Sequence, residues 1–321
     1  MGERIRNPKV LIVSANALAV RSQLVESFAH VSFATVTQPE HLRETLAEFQ
    51  PGIVLSMKKH QFPGKYHQPL SAHASVQWLE VGGSGYEHLW PWKPDLLVTN
   101  CQGVLAGALA ETVVGAMLAI NSNLIRYAHQ QLQRSWMPQQ FRPLSEQTLL
   151  LVGFGHTAQA VAARARDLGM RVLAIRNRPE PSPLADGVFG PDALPALLGQ
   201  ADILSLHVRL TEQTRHLIGR RELASLRPSA IVINTSRGGV VDEQALYEAL
   251  EGGTVRGAYL DVFEQEPLPA DSPWWSVPHV LISPHTADHV IDMVEKITDS
   301  FARNLRRWLT GQPLRNQVHV P

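Results

Sequence analysis

The stretch LLLVGFGHTAQAVAARA at 149–165 constrains the fold of this chain more than any other segment. An apolar run breaks at Gly153-Phe154-Gly155 and resumes as an alanine-rich helical pattern. That order predicts a buried strand, a turn tight enough to demand glycine, and a helix whose free N–H groups face an anion. A glycine pair alone predicts only an ordinary strand-to-helix turn. Framed by strand and helix as Gly153-x-Gly155-x-x-Ala158, with an alanine small enough for close helix packing, it predicts a pyrophosphate cradle. His156 and Thr157 open that helix.

The next apolar run, RVLAIRNRPE at 171–180, ends where such turns place an acidic residue for the ribose hydroxyls. Arg176 stands there instead, 176 − 158 = 18 residues beyond Ala158, followed by Asn177 and Arg178. A carboxylate accepts from a ribose diol and repels a 2′-phosphate. Arginine does the reverse, because its planar fork pairs with phosphate oxygens. The pair therefore reads either as an NADP phosphate clamp or as two solvated surface arginines.

Short apolar runs alternate with helical patterns along the whole chain, which is the signature of parallel α/β layers. VLIVS (10–14), VSFAT (31–35), IVLS (53–56), VQWLEV (76–81) and LLVTN (96–100) form a first series, with helices expected at 17–28 and 40–49. A long apolar helix over roughly 105–130 follows, with Glu111 near its start. A second series begins at 148 with TLLLVG, RVLAIR, ADILSLHV, SAIVINTS, GAYLDVF and HVLISPH, six strands in all. A final helical pattern at 289–309 repeats Ile291, Met293, Val294, Ile297, Phe301, Leu305 and Trp308 at helical spacing. With 321 residues the chain exceeds one ordinary core. The expected architecture is α/β: two Rossmann-like or flavodoxin-like doubly wound parallel-sheet domains with an interdomain cleft. Residues 1–100 plus 288–321 are assigned to a discontinuous substrate-binding domain, and 101–287 to the dinucleotide domain.

Composition excludes several function classes. The formal net charge is zero, so nothing favours nucleic acid or an acidic membrane surface. One cysteine, Cys101, excludes an internal disulfide framework and fits a reducing, cytoplasmic compartment. No apolar run reaches membrane-span length. The charged N-terminus reads as a lead-in to a first strand rather than a signal peptide, and Arg6 breaks the myristoylation pattern. No metal site is expected.

Three further segments converge on one sheet edge. NTSRGGVVDEQAL (234–246) sets Thr235, Ser236 and Arg237 past a buried strand, with Asp242 placed to cap the next helix. GAYLDVFEQEPLP (257–269) sets Asp261 at a strand end with Glu264 and Glu266 in the loop. ISPH sets His285 beyond another strand. Singly, each has a bland reading as an ion-pair partner, loop surface or one of 14 histidines.

Taken in order, these segments resemble the D-isomer-specific 2-hydroxyacid dehydrogenase family, closest to its glyoxylate/hydroxypyruvate reductase branch. The motifs are LVGFGHTAQAVA, LSLHVRLTEQTRHLIG with NTSRGGVVDEQAL, and GAYLDVFEQEPLP with ISPH, spanning about 76–316; the first 75 residues match by pattern only. The resemblance implies NADPH, or NAD, as hydride donor to a small 2-oxo acid, giving the D-2-hydroxy acid. Its arginine, glutamate and histidine fall on Arg237, Glu266 and His285. Glu266 is chosen over Glu264 because the family's glutamate lies five residues past the aspartate of DVF, 261 + 5 = 266. Arg237 then grips the 2-oxo acid, His285 exchanges the carbonyl-oxygen proton, and Glu266 raises the basicity of His285 and orients it. Asp261 falls on the nicotinamide-amide contact. His207, Thr214, Thr235 and Ser236 fall in cofactor-binding motifs. VGGSGYEHL (81–89) resembles the substrate loop, with the N–H groups of Ser84 and Gly85 receiving a carboxylate. Lys58 reads as an added cleft charge or as a surface lysine.

The chain also departs from the pattern. Arg209 replaces the usual proline, and Trp274-Trp275 replaces the usual leucine–tryptophan pair, which bears on pocket size. Trp136 and the helix end before it point to a partner subunit, since the family forms homodimers. Two other functions fit the same motifs. One is NAD-dependent oxidation of a larger hydroxy acid such as a phosphoglycerate, against which the expected lack of a regulatory extension past 321 speaks. The other is a cofactor-sensing, corepressor-like binding protein.

Overall fold

A computed structural model describes residues 8–58 and 62–318. The charged lead-in at 1–7 lies outside the described residues. Twelve strands and ten α-helices are found among the described residues. The chain divides into two compact units, residues 1–105 with 290–321, and residues 106–289. The sequence boundaries at 100/101 and 287/288 differ by five and two residues: the loop 101–105 after the fifth strand goes with the first unit, and residues 288–289 go with the second.

The first unit is built on five parallel strands: β1 (Lys9–Val13), β2 (Ser32–Val36), β3 (Ile53–Ser56), β4 (Trp78–Val81) and β5 (Leu97–Asn100). Their order is β2-β1-β3-β4-β5. Helices α1 (Ala17–Val25), α2 (Leu42–Phe49) and α3 (Gln68–Ala72) lie between them in sequence. Because β1 pairs with both β2 and β3, the chain changes direction there, so the loops after β1 and β3 flank the sheet's switch point. Lys58 leaves the end of β3 at that place.

The last helix closes this unit. Ile297, Phe301 and Leu305, at helical spacing, are fully buried against the β1 and β3 face. Each such side chain contributes on the order of 1.5–3 kcal/mol by burial. Trp78 is stacked by Phe301 and Trp308, with ring centroids 5.3 and 5.6 Å away, and its indole N–H donates to Thr99 Oγ1 at 2.8 Å. The helix runs Met293–Leu309 rather than from 289. Ile291, expected on its buried face, precedes the helix and is wholly exposed.

The second unit carries β6 (Thr148–Val152), β7 (Arg171–Ile175), β8 (Gly187–Phe189), β9 (Ile203–Leu206), β10 (Ile231–Asn234), β11 (Gly257–Leu260) and β12 (Val280–Ile282). Their order is β12-β11-β10-β9-β6-β7-β8, all parallel. The seventh strand, β8, is absent from the sequence expectation. It is three residues long inside a proline-rich loop, only partly buried, and carries no periodicity to read. The expected helix over 105–130 is two: α4 (Ala106–Asn121) and α5 (Leu124–Leu132), bent by 62°. Asn123 takes the left-handed conformation at the break (φ 59), and Arg256 Nη2 donates to the released carbonyls of Ile120 and Asn121 at 3.1 and 3.2 Å. Among the described residues no single helix is long and apolar enough to cross a membrane; seven residues of α4 are buried within the unit.

Candidate active site

In the second sheet β6 pairs with both β7 and β9, so the switch point opens at the C-terminal ends of β6 and β9. Open α/β sheets bind ligands at such a crevice. The glycine turn sits there. Gly153 has φ +90, and a Cβ on it would stand 2.5 Å from the His207 carbonyl oxygen at the end of β9, so no other residue fits. Gly155 is the N-cap of α6 (His156–Asp167), and the space its Cβ would occupy is open. Ala158 is fully buried, which lets α6 lie close on the sheet, whereas His156 is exposed and Thr157 half-buried. Turn and helix N-terminus thus lie at the switch point, where the first-turn N–H groups of a helix suit an anion.

Arg176 follows the end of β7. Its backbone N–H donates to Phe189 O at 2.9 Å, so the overlooked strand β8 holds this arginine in register. Arg176 is half-buried; Asn177 and Arg178 are exposed. Neither arginine makes an ion pair among the described residues.

His207 lies just past β9, with Nε2 2.9 Å from Ser205 Oγ; burial pushes its pKa down to about 4, so the ring is neutral. Thr214 closes a turn, donating from Oγ1 to Arg209 O at 2.5 Å.

Past β10, Thr235 Oγ1 is buried without a hydrogen-bond partner, an uncommon condition for a hydroxyl at a sheet edge. Ser236 donates from N and Oγ to Asn234 Oδ1 at 3.1 and 2.7 Å. Arg237 Nη1 donates to Ser236 O at 2.7 Å, and Asn234 Nδ2 to Arg237 O at 2.9 Å. Gly238 then runs against the next loop, since a Cβ there would lie 2.0 Å from Phe263 C. That close approach brings the Arg237 loop beside the loop that carries Glu266. Asp242 caps α9 (Glu243–Glu251), as its spacing predicts, accepting from Ala245 N at 3.0 Å.

Asp261, at the end of β11, is buried. Its Oδ1 accepts from Ser283 Oγ (2.5 Å), Thr286 N (2.8 Å) and Ala287 N (3.1 Å), while Oδ2 accepts a longer bond from Ala287 N (3.2 Å). Burial raises its pKa against these bonds. The carboxylate therefore builds the turn after β12. Within that turn His285 takes φ +55 and donates from its N–H to Asp261 O at 2.8 Å. Ser283, which also meets Tyr259 Oη at 2.7 Å, is a supporting residue the sequence did not single out.

His285 Nδ1 lies 2.7 Å from Glu266 Oε2, and Glu266 Oε1 accepts from Phe263 N at 3.0 Å. Burial works to raise the Glu266 pKa. The His285 bond, the Phe263 N–H and the charges of His285 and Arg237 outweigh it and hold the carboxyl below its usual range. His285 Nε2 has no partner among the described residues. Glu264, expected as loop surface, is exposed and pairs with His216 Nε2 at 2.9 Å. Trp274 packs into the core against Tyr247 and Phe263, while Trp275 is exposed and donates to Pro269 O at 2.7 Å.

Ser84, Gly85 and Lys58 belong to the first unit. Gly82 lies so close to Met57 that a Cβ there would stand 2.4 Å from its Cγ, so the loops after β3 and β4 touch. Cys101 N donates to Val81 O and Gly83 O at 3.1 and 3.0 Å, and Asn100 Nδ2 to Ser84 O at 2.9 Å. Ser84 and Lys58 are exposed, and Gly85 is buried. Cys101 is buried and free, its thiol 3.8 Å from Glu80 Oε1.

A family model described as D-isomer specific 2-hydroxyacid dehydrogenase, NAD binding domain, matches residues 114–287. The chain is 30% identical over 320 residues to a glyoxylate/hydroxypyruvate reductase B of Yersinia pestis (strain Pestoides F), covering 97% of both. Among solved structures, a D-isomer specific 2-hydroxyacid dehydrogenase family protein of Aeromonas salmonicida superposes with TM-score 0.87 at 29% identity, covering 98% of this chain and 99% of the other. A D-isomer specific 2-hydroxyacid dehydrogenase of Xanthobacter autotrophicus, solved with NADPH, gives TM-score 0.80 at 26% identity, with 98% of each chain covered.

Proposed function

The chain belongs to the D-isomer specific 2-hydroxyacid dehydrogenases, NAD(P)-dependent oxidoreductases, and we propose that it reduces a small 2-oxo acid of the glyoxylate or hydroxypyruvate type with NADPH. The observation that carries this reading is the His285–Glu266 pair at 2.7 Å, with Nε2 unpartnered and Arg237 in the adjoining loop. The open space at Gly155, the N-terminus of α6 and the orphan Thr235 hydroxyl fit a dinucleotide. Gly153, Gly155 and the first turn of α6 hold its pyrophosphate, His207, Thr214, Thr235, Ser236 and Asp261 line its path, and Arg176 with Arg178 takes the 2′-phosphate. Bound, the reduced nicotinamide supplies the hydride.

The protein's own part is binding and proton transfer. Arg237 pairs with the substrate carboxylate and polarises the 2-oxo carbonyl, fixing it for attack. His285 donates the Nε2 proton to the developing alkoxide oxygen, giving the D-2-hydroxy acid where chirality applies. Glu266 holds the Nδ1 proton, so the ring aims Nε2 outward and its positive charge is balanced before transfer. Within the first unit, the Ser84 and Gly85 N–H groups and the Lys58 charge suit recognition of a carboxylate. The exposed Leu132 at the end of α5, with Trp136 and Met137 after it, supports a homodimer through the dinucleotide unit. The buried free thiol of Cys101 supports work in the reducing cytoplasm.

Steady-state assays with glyoxylate and hydroxypyruvate, each with NADPH and NADH, test the reading. Turnover favouring NADPH is expected, and Arg237→Ala should abolish it while the dinucleotide still binds. Cofactor binding without turnover of any 2-oxo acid overturns it in favour of a cofactor-sensing role.

A further inference from the structure

At the opposite end of the second sheet from the candidate active site lies a cavity of ≈ 200 Å³, lined by Asn123, Arg126, Gln140, Arg256 and His279 among others. Its walls come from the α4–α5 break and from the residues immediately before β11 and β12. No aspartate or glutamate lines it among the described residues. Arg126 makes no hydrogen bond or ion pair among the described residues, and neither does the His279 ring. Arg256 spends only Nη2, on the α4 carbonyls and Asn121 Oδ1, leaving Nε and Nη1 without a partner among the described residues. Three cationic or cation-capable groups thus converge from three segments on one concavity with no counter-charge. Half-buried guanidinium donors are ordinarily satisfied, because unmet donors cost free energy.

We propose that this cavity binds a tetrahedral dianion, inorganic phosphate or the phosphate group of a monoester. The donors approach from different directions, which suits the three or four acceptor oxygens of a tetrahedral ion better than a planar carboxylate. The volume admits such a group but not a dinucleotide. His279 follows Pro278 in the turn that leads into β12, its backbone in the left-handed region (φ 63). Burial, then the charges of Arg126, Arg256 and His129, keep the His279 pKa below its usual value. A bound dianion reverses the sign of that local field, so binding favours the protonated His279 ring.

The site's own histidine reports on it, which separates it from any anion held at the dinucleotide turn or beside Arg237. The His279 ring resonance, assigned by its loss in His279→Asn, is titrated by NMR in phosphate and in chloride at equal ionic strength. Phosphate at roughly 20 mM should raise the His279 midpoint by about one pH unit, and sulfate should act likewise. In Arg126→Gln, an unbonded and partly exposed position, the phosphate-induced shift should vanish. Glycerol 3-phosphate acting at lower concentration than phosphate assigns the site to a monoester; equal potency assigns it to the inorganic ion. An unchanged midpoint in phosphate, a shift undiminished in Arg126→Gln, or a response to succinate alone overturns the proposal.

Discussion

Replacing Glu266 by glutamine tests the proton-handling pair with almost no change of shape. Oε1 is fixed by the Phe263 N–H at 3.0 Å, so the glutamine oxygen takes that place and its NH2 group faces His285 Nδ1. Two donors then confront each other whenever Nδ1 carries a proton, and the positively charged ring that donates from Nε2 is disfavoured. A charge-assisted hydrogen bond contributes about 1.5–3 kcal/mol. Both side chains are more than a third exposed (43% and 37%), so solvent screening puts the loss towards the lower half of that range. About 2 kcal/mol corresponds to a roughly 30-fold fall in kcat, with KM for the 2-oxo acid nearly unchanged because Arg237 is untouched. Stopped-flow single turnovers with saturating NADPH separate this chemical step from product release. A single-turnover rate within threefold of wild type refutes the argument, as does a loss confined to KM.

Other consequences are open to direct measurement. Arg176→Ala should weaken NADPH binding at least tenfold by fluorescence titration and NADH less than threefold; equal effects would leave Arg176 as surface charge. Gly153→Ala combines a left-handed backbone with a Cβ 2.5 Å from a carbonyl oxygen, and should lower Tm by several degrees and abolish dinucleotide binding. Glu80 is buried and accepts from Thr99 Oγ1 (2.9 Å) and Asn304 Nδ2 (2.8 Å). Burial pushes its pKa up to about 7 from an ordinary 4.5. The folded protein therefore holds a proton that the unfolded chain has released, and the associated stability, about 3 kcal/mol, is present below pH 4.5 and lost as pH rises to 7. Subtracting urea-denaturation curves of Glu80→Gln from wild type at pH 5 and pH 8 isolates this slope; identical pH dependence in both proteins contradicts it.

The parts of this molecule legible from sequence are those governed by local rules. The Gly153 turn is readable because only glycine adopts φ +90 against a neighbouring carbonyl. The buried strands are readable because apolar runs of four or five residues between helical patterns have few alternatives. Asp242 declares itself by its spacing to α9. Elements set by remote neighbours are not readable. The α4–α5 break depends on Arg256, over a hundred residues away, taking the freed carbonyls. Strand β8 exists because the edge of β7 offers partners to three unremarkable residues. Ile291 fits a helical period yet precedes the helix, since a period alone does not mark a boundary.

By itself the sequence determined the alternation of strand and helix, the glycine turn, and the residue types able to grip a carboxylate and move a proton. Those follow from backbone sterics and side-chain chemistry, which act over a few residues. Tertiary structure alone decided that Glu266 meets His285 at 2.7 Å, and that Asp261 spends its carboxylate on the turn that aims His285. It also decided that Glu264 turns to His216 instead. Hydrogen bonds reach only about 3 Å. Which of two nearby acids makes one is therefore settled by where the packed sheet delivers each loop, a distance that spacing in sequence does not encode.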